Sequence, residues 1–325
     1  MPVTIGCVLI NYQNGGLQPG GSFDFAPLIA ALADSPHRPD LIFFCEAKHY
    51  ADRGGTGLLL AAQAISDKFG LPYIGLLGYM ERAPLPPALF YNPNVLTLLP
   101  PWYGHGSHYD YQDQRNVAHF AVRGAAAPGE PNVEFMAGVE HWEPLFGASR
   151  ELAARRWGRY GRKANLPGIF AADTNCTPSG PHFPQRDWAL AAELDWANAS
   201  HKGREEDGEW FPDTAAMDHL IGRWVDGQGR VGGAGFGSLA ELAWQAAIDE
   251  PTKQRPGLLS SDGRILPTVN DQVDAGGGLH IDNVIANDLM LPFFDPRTFQ
   301  IHVPPPGTPR PSDHRVVSWE LRFGP

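Results

Sequence analysis

Six apolar stretches of the 325-residue chain carry, at one end, a side chain that can bind a metal or move a proton. A single acid or histidine in such a place is most often a turn residue or a structural side chain. Turn chemistry would also supply Gly, Ser and Lys, so the joint pattern indicates one site assembled from several strand ends. In chain order, these side chains are Asn11, Glu46, His141, Asp173 with Asn175, Asp282, and Asp313 with His314.

The segment at 168–180, GIFAADTNCTPSG, supports both interpretations. Asp and Asn start turns well, and the residues at 177–180 are typical of a turn. Asp173 and Asn175 nevertheless stand two residues apart, directly after an apolar run. That position favours a site at the end of a buried sheet, so we expect the turn and the site to share this segment.

The elements that must position these residues are short strands. Their apolar residues do not alternate with polar ones, which is typical of strands buried on both faces. The predicted strands cover residues 5–10, 41–45, 133–139, 169–172, 281–286 and 316–321.

Helical patterns lie between some of the predicted strands. One helix is predicted over residues 56–70, with Thr56 as its N-cap and Gly70 as its stop. A second follows from Gln185 through QRDWALAAELDWANA, and a third begins at Ser238, where Glu241 completes the spacing of a capping box. Strands interleaved with helices predict an α/β or α+β fold with a sheet covered by helices.

The composition is that of a soluble globular protein, with 43% hydrophobic and 19% charged residues. The net charge of −11 argues against a protein that holds duplex nucleic acid by bulk charge, because such binding neutralises phosphates with Lys and Arg. The three cysteines predict reduced, buried thiols. We find no signal peptide or membrane span, so a cytoplasmic protein without membrane contact is expected.

We see no composition break strong enough for a domain boundary. The prediction is one domain over residues 1–325, with an insertion at about 200–275 that is polar and Gly-rich in places. A long loop at 99–116 is rich in aromatic residues, His and Gly. Long loops in compact domains are often functional.

The strand-end motifs LINYQ, FFCEAK, GVEHW, AADTN, HIDNVI and PSDHR together resemble the endonuclease/exonuclease/phosphatase (DNase I-like) superfamily, in the superfamily's order. The resemblance spans nearly the whole chain, from Asn11 to His314. It implies a four-layer α/β sandwich, in which two packed mixed β-sheets are flanked by helices. Two positions depart from the pattern: Trp142 replaces a small or aliphatic residue, and Asn283 stands where an aromatic residue is common.

The resemblance implies a metal site formed by Glu46, Asp313 and Asn11. Oxygen ligands without cysteine pairs suit a hard cation, so Mg²⁺ or Mn²⁺ is the expected cofactor. Such an ion polarises a phosphoryl oxygen and offsets charge in the transition state.

The resemblance also implies a catalytic set. Asp282 would orient His314, which is either a base or a phosphate-binding cation. Asp173 would orient or deprotonate the attacking water, or bind a second metal. Asn175 would hydrogen-bond a phosphate oxygen, and His141 would contact phosphate and assist the leaving group.

The expected function is metal-dependent hydrolysis of a phosphodiester by a nuclease-like enzyme. The alternatives are a small-molecule phosphatase or phosphodiesterase on the same fold, a non-catalytic binding module, and an unrelated metallohydrolase. Single-stranded or structured nucleic acid is favoured over bulk duplex as substrate, and no protein partner is evident.

Two further segments leave alternatives open. In the basic stretch at 150–163, Arg155, Arg159 and Arg162 share a helical face that either meets phosphate or is simply solvated. The aromatic loop either stacks on substrate or packs on the protein. Its members are Trp102, Tyr103, His105, His108, Tyr109 and Tyr111.

Overall fold

The computed structural model describes residues 2–33, 35–78, 85–103, 116–127, 129–250, 255–269, 276–305 and 312–324. The aromatic loop from His105 to Tyr111 lies outside the described residues, and so does part of the predicted insertion. Within the described residues, no helix is long and apolar enough to cross a lipid bilayer.

The described residues contain sixteen strands and seven α-helices. The strands are β1 Val3–Asn11, β2 Leu41–Cys45, β3 Ile74–Leu77, β4 Ala88–Tyr91, β5 Leu96–Tyr103, β6 Asn116–Val122, β7 Val133–His141, β8 Gly168–Asp173, β9 Gly203–Glu206, β10 Glu209–Pro212, β11 Arg223–Val225, β12 Gly229–Val231, β13 Phe236–Ser238, β14 Asp282–Asn287, β15 Gln300–His302 and β16 Val316–Phe323. The helices are α1 Ala26–Ala33, α2 Asp52–Phe69, α3 Gly147–Trp157, α4 Trp188–Leu194, α5 Trp196–Lys202, α6 Ala215–Ile221 and α7 Leu239–Asp249.

Two six-stranded sheets form the centre of the fold. The first has the order β15-β16-β1-β2-β4-β3 and the second the order β13-β14-β8-β7-β6-β5. Each sheet is mixed: β1 is parallel to β2 and β7 is parallel to β8, whereas β16 and β14 run antiparallel to their neighbours. The ends of β1, β2, β7 and β8 and the starts of β14 and β16 therefore lie at one side of the sheets.

The fold has four layers, which are two sheets and the helices on their outer faces, and cores of apolar side chains lie between them. Leu9, Phe43 and Ala171 belong to the core between the sheets. A second core, which includes Phe44 and Ile65, lies between the first sheet and helices α1 and α2, and a third lies between the second sheet and helices α3 and α6. Both faces of the central strands are buried, which explains their unbroken apolar runs. The predicted four-layer α/β sandwich is confirmed.

Helix α2 ends as predicted but begins differently. Gly70 adopts a left-handed conformation with φ of 64°, which terminates the helix. Thr56 is not its N-cap, because the helical segment starts at Asp52 and passes through left-handed residues from Arg53 to Gly55. The Thr56 hydroxyl instead donates a hydrogen bond to the carbonyl of Arg53 at 2.8 Å.

The single helix predicted from Gln185 is wrong, because the chain breaks it into α4 and α5. Asp187 caps α4 by accepting a hydrogen bond from the amide of Leu190. Asp195 interrupts the pattern and caps α5 by accepting from the amide of Asn198. An Asp side chain competes with the helical backbone for such amides, so the second Asp ends one helix and starts the next.

Helix α7 has the predicted N-cap, but only one of the two hydrogen bonds of the predicted capping box forms. Ser238 accepts a hydrogen bond from the amide of Glu241 at 3.4 Å. The Glu241 carboxylate does not return to Ser238 but pairs with Arg230 at 2.7 Å. All three cysteines, Cys7, Cys45 and Cys176, are free and buried, as their apolar settings predicted.

Candidate active site

The two sheets are joined at their ends by side chains. The amide Nδ2 of Asn11, at the end of β1, donates to Oδ2 of Asp173, at the end of β8, at 2.9 Å. Nearby, the Cys45 thiol donates to the carbonyl of Glu140 at 3.4 Å. Both carboxamide and carboxylate are almost fully buried, so the bond holds the two sheets in a fixed relation where the predicted site residues converge.

Asp173 lies at the centre of the cluster. Its Oδ2 atom is 3.4 Å from Nε2 of His141 and 3.7 Å from Nε2 of His314. Its Oδ1 atom accepts a hydrogen bond from the backbone amide of Asn175 at 2.9 Å. Asp173 therefore contacts groups from both sheets, with one oxygen facing two imidazoles and the other fixing the turn that follows it.

His314 and Asp282 form a buried pair beside Asp173. Nδ1 of His314 is 2.7 Å from Oδ2 of Asp282, a short contact typical of a charge-assisted hydrogen bond. Asp282 is also the direct register partner of Asp173 on the adjacent strand β8. The antiparallel pairing of β14 with β8 thus explains why the two carboxylates can share one imidazole.

Charge interactions set the protonation of this cluster. Burial opposes a charge on His314, but the carboxylates of Asp282 and Asp173 outweigh it and raise the pKa of His314 to about 10. Burial also opposes the charge of Asp173, yet His314 and His141 hold its pKa below its usual value. For Asp282, burial dominates and raises the pKa. At neutral pH, His314 is therefore a cation held between acidic groups.

The raised pKa of His314 predicts how stability depends on pH in metal-free protein. A group whose pKa is about 10 when folded and about 6.5 when unfolded stabilises the fold fully below the lower value. This contribution is lost as the pH rises through the folded value. The difference in free energy of unfolding between wild type and His314→Gln, measured with urea, should be larger near pH 6 than near pH 10.5. An equal difference at both values would contradict the assignment of charge.

His141 is the last residue of β7 and lies beside the carboxylate of Asp173. Burial lowers the pKa of His141, but the hydrogen bond to Asp173 and the charges of Asp173 and Glu46 raise it overall. Its Nδ1 atom is buried and has no hydrogen-bond partner among the described residues. His141 can therefore hold a proton beside Asp173 and still offer a second nitrogen.

Glu46 and Asp313 do not belong to the close group of Asp173, Asp282 and His314. Their charges nevertheless act on the histidines of the site, Glu46 on His141 and Asp313 on His314. Glu46 has a left-handed backbone with φ of 64°, which is unusual for a residue with a side chain and typical of functional sites. Its Oε2 atom accepts from the amide of Asn14 at 2.8 Å, and the Asn14 side chain accepts from Lys48 at 2.7 Å. Asp313 accepts a hydrogen bond from the hydroxyl of Ser312 at 3.0 Å.

The residues present fit a hard cation. Asp173 and Asp282 belong to a group whose ligand atoms all lie within 4.8 Å of one another; its third member, His314, carries a proton at neutral pH and offers no ligand atom in that state. Oδ1 of Asn11 and Oδ1 of Asp282 are buried and have no hydrogen-bond partner among the described residues. A buried acceptor without a donor is costly, and a cation satisfies it. The donors are mainly oxygens, as the predicted cofactor requires.

Several supporting residues were not predicted as part of the site. The carbonyl of Trp142 accepts a hydrogen bond from Nδ2 of Asn175 at 3.0 Å, while its indole donates to Glu140. The hydroxyl of Thr268 accepts from the amides of Ile281 and Asp282, each at 3.0 Å. No sequence pattern signalled the carbonyl of Trp142 or the hydroxyl of Thr268, because hydrogen bonds that involve backbone groups leave no residue pattern.

Most of the basic stretch lies away from the cluster, although its first residue, Arg150, donates to the carbonyls of Glu143 and Pro144 shortly after His141. It forms α3 up to Trp157 and then a short 3₁₀ turn, Gly158–Tyr160. Because β7 and β8 are parallel, this connection runs from the end of β7 that carries His141 back to the start of β8. Arg155 and Arg162 therefore lie toward the opposite end of the sheet from Asp173, and Arg162 donates to the carbonyl of Gly232.

Comparison with known proteins identifies the fold. No protein-family profile matches the chain, and no curated protein sequence does. Among solved structures, an endonuclease/exonuclease/phosphatase from Bacteroides vulgatus superposes with a TM-score of 0.55, at 14% identity, over 99% of both chains. The fold is that of the endonuclease/exonuclease/phosphatase superfamily. The resemblance drawn from the strand-end motifs is thereby confirmed at the level of the fold.

Two further proteins with this fold have known ligands in their structures. D. rerio TDP2, complexed with single-strand DNA product, matches with a TM-score of 0.50 and 14% identity over 98% of each chain. ANGEL2, a 2',3'-cyclic phosphatase in complex with adenosine-2',3'-vanadate, matches with a TM-score of 0.52 and 9% identity, over 99% of this chain and 96% of that one. The endonuclease/exonuclease/phosphatase fold of this chain is thus shared with very distant sequences.

Proposed function

We propose that this protein is a divalent-metal-dependent phosphoesterase that hydrolyses a phosphodiester by attack of water. The main support is the position of Asp173 at the centre of one buried cluster. There it contacts Asn11, His141 and His314, which come from three different strand ends. Such convergence of a carboxylate with two imidazoles provides both a proton acceptor and cations for phosphate.

In this proposal, Asn11, Glu46 and Asp313 would bind the metal, and Asp173 would lie beside it. When bound, Mg²⁺ or Mn²⁺ supplies charge that offsets the negative charge of the reacting phosphate. The Oδ1 atom of Asn11 supports this assignment, because it lies on the side chain that contacts Asp173 and is a buried acceptor that a cation would satisfy. The carboxylates of Glu46 and Asp313 would complete the oxygen ligands that such an ion prefers.

His314 acts as a phosphate-binding cation rather than as a base. Its pKa of about 10 means that it already carries a proton at neutral pH and cannot accept another. Asp282 keeps the ring oriented through Nδ1, which leaves Nε2 free to face a phosphate oxygen near Asp173. The carboxylates of Asp282 and Asp173 therefore favour the cation over the base, the two roles that the sequence left open.

Asp173 and His141 divide the proton chemistry. Asp173 has a lowered pKa, so it is ionised at neutral pH and can orient a water or accept its proton. His141 has a raised pKa and a free Nδ1, which suits it to hold a proton for the leaving alcohol. Asn175, whose side chain is anchored on the carbonyl of Trp142, would place its backbone turn against the phosphate.

The substrate is a phosphodiester of a single-stranded or structured nucleic acid, and the rival is a small phosphorylated metabolite. The net charge of −11 and the remote position of the basic helix weigh against bulk duplex. The TDP2 structure holds a single-strand DNA product and the ANGEL2 structure holds adenosine-2',3'-vanadate, so this fold accommodates both a nucleic acid and a small nucleoside ligand.

The substrate class can be measured directly. Purified protein would be assayed on an aryl phosphodiester, an aryl phosphomonoester, plasmid DNA and single-stranded oligonucleotides, each with Mg²⁺, with Mn²⁺ and with EDTA. We expect turnover of a diester that EDTA removes and that Glu46→Ala abolishes. Glu134→Ala is the control, because Glu134 pairs with His119 at 2.9 Å, outside the cluster. No turnover on any substrate by folded protein would favour the binding module instead.

A further inference from the structure

Strand β14 presents two different faces at the site. Asp282, Val284 and Ala286 alternate with Asn283 and Ile285, and Val284 and Ala286 lie in the core between the sheets. Ile285 lies instead in the core beneath α3 and α6. Because side chains alternate along a strand, Asn283 points into that outer layer, away from the face that carries Asp282.

Asn283 is bonded to the turn that carries the central carboxylate. It is only 2% exposed. Its Nδ2 atom donates to the hydroxyl of Thr174 at 2.8 Å and to the carbonyl of Cys176 at 3.1 Å. The Thr174 hydroxyl in turn donates toward the carbonyls of Cys176 and Ile281, at 2.7 and 2.9 Å. Asn283 therefore adds two hydrogen bonds to those by which the amide and the hydroxyl of Thr174 already hold the turn to Ile281, next to Asp282.

The turn has a backbone conformation that depends on local hydrogen bonds. Asn175 has φ of 47°, in the left-handed region, which Asn adopts more readily than most residues because its side chain can bond to nearby backbone groups. Its side chain is held by the carbonyl of Trp142 on one side, and Asn283 holds the preceding and following residues on the other. Without the second anchor, Thr174 keeps only its own bonds, and Asp173 and Asn175 can shift together.

We propose that Asn283 is a positioning residue that fixes the Asp173–Asn175 turn relative to Asp282 and His314. This inference rests on the proposed phosphoesterase function of the same cluster. At the position where the resemblance would place an aromatic residue, this chain has a carboxamide that makes two directional hydrogen bonds. A shift of about 1 Å in such a group can lower the rate roughly 100-fold.

The same strand offers a matched control. Asn287 lies on the same face as Asn283 and is 1% exposed. Its Nδ2 atom donates to the carbonyls of Tyr160 and Leu166, and its Oδ1 atom accepts from the amide of Gly168. Gly168 is at the start of β8, whereas Asp173 is at its end, so Asn287 does the same structural work at the opposite end of the same strand pair.

The test compares Asn283→Leu with Asn287→Leu. Leu has a similar volume and removes the hydrogen bonds, so both variants should lose thermal stability. We expect kcat on an aryl phosphodiester to fall roughly 10- to 100-fold for Asn283→Leu with little change in KM, and to stay near wild type for Asn287→Leu. Equal kcat values for the two variants would overturn the proposal and leave Asn283 a structural residue.

A second pair of variants covers the case in which Asn283→Leu does not fold. Thr174→Val removes the hydroxyl that Asn283 contacts, and Thr174→Ser keeps it. We expect Thr174→Val to lose kcat and Thr174→Ser to recover it, while the double variant Thr174→Val with Asn283→Leu loses no more than the single ones. Full activity of Thr174→Val would also contradict the proposal.

Failure of the inference can be separated from failure of the proposed function. If wild type shows no metal-dependent turnover, the phosphoesterase assignment fails and the kinetic comparison has no meaning. The turn can then still be examined by NMR, where Asn283→Leu should shift the backbone amide of Asn175 and Asn287→Leu should not. An unchanged Asn175 amide in Asn283→Leu would overturn the positioning role whatever the protein catalyses.

Discussion

Replacing Asp173 by Asn should lower phosphodiesterase turnover by roughly 10²- to 10⁴-fold, the range expected for loss of a group that transfers a proton. In the wild-type protein, Nδ2 of Asn11 donates to Oδ2 of Asp173 at 2.9 Å. In Asp173→Asn, two carboxamides meet at this place. In addition, the negative charge that faces Nε2 of His141 and of His314 disappears. The measurement is kcat on an aryl phosphodiester at saturating metal.

A matched substitution controls for the loss of a buried carboxylate. Asp40 is also buried, and its Oδ1 atom accepts from Nδ2 of Asn92 at 2.9 Å, the same kind of pair as Asn11 with Asp173. Asp40 lies just before the start of β2, at the end of the sheet opposite the site. Asp40→Asn should reduce stability but leave kcat near wild type. Comparable losses of kcat in both variants would show that the carboxylate of Asp173 has no special part in catalysis.

The second large effect is expected from His314→Gln. Removing one preorganised cation or donor from a reacting group typically costs about 10²- to 10³-fold in kcat. Gln keeps a polar side chain beside Asp282 but carries no charge, so the cost should appear in kcat rather than in folding alone. The raised pKa of His314, about 10, predicts that wild-type activity does not need His314 to lose a proton near neutral pH.

The control for His314→Gln is His119→Gln. His119 also pairs with a carboxylate, Glu134, at 2.9 Å, but it lies in the middle of β6. If kcat falls equally in both variants, the loss is a general effect of breaking a histidine–carboxylate pair. If kcat falls only in His314→Gln, and His314→Lys keeps part of the wild-type kcat, the cation assignment stands.

Much of the fold could be predicted because burial on both faces produces unbroken apolar runs. The six predicted strands all exist, and the structure mainly extends them, as for β7, which continues to His141. Strands such as β3 and β4 were not predicted, because a pattern of only four residues is too short to identify a strand. The break between α4 and α5 was also missed, since Asp195 within an apolar helical spacing looks like a surface residue until its side chain caps.

The composition of the site was easier to predict than its connections. Strand ends identified the titratable residues, and the register of β14 with β8 brings Asp282 opposite Asp173, which a single sequence does not encode in any local pattern. The bond from Asn11 to Asp173 joins residues 162 positions apart. Supporting contacts through Thr268 and Trp142 use backbone groups, so only three-dimensional packing specifies them.

The cluster is proposed to hydrolyse a phosphodiester with a divalent metal. The most direct test of this proposal is a titration of metal-free protein with MgCl₂ and with MnCl₂, in which the initial rate of aryl phosphodiester hydrolysis is followed for wild type and for Asp173→Asn. We predict a rate that rises from background and saturates with metal in wild type and stays at background in Asp173→Asn. A wild-type rate that is independent of metal, or one that Asp173→Asn shares, would contradict the claim.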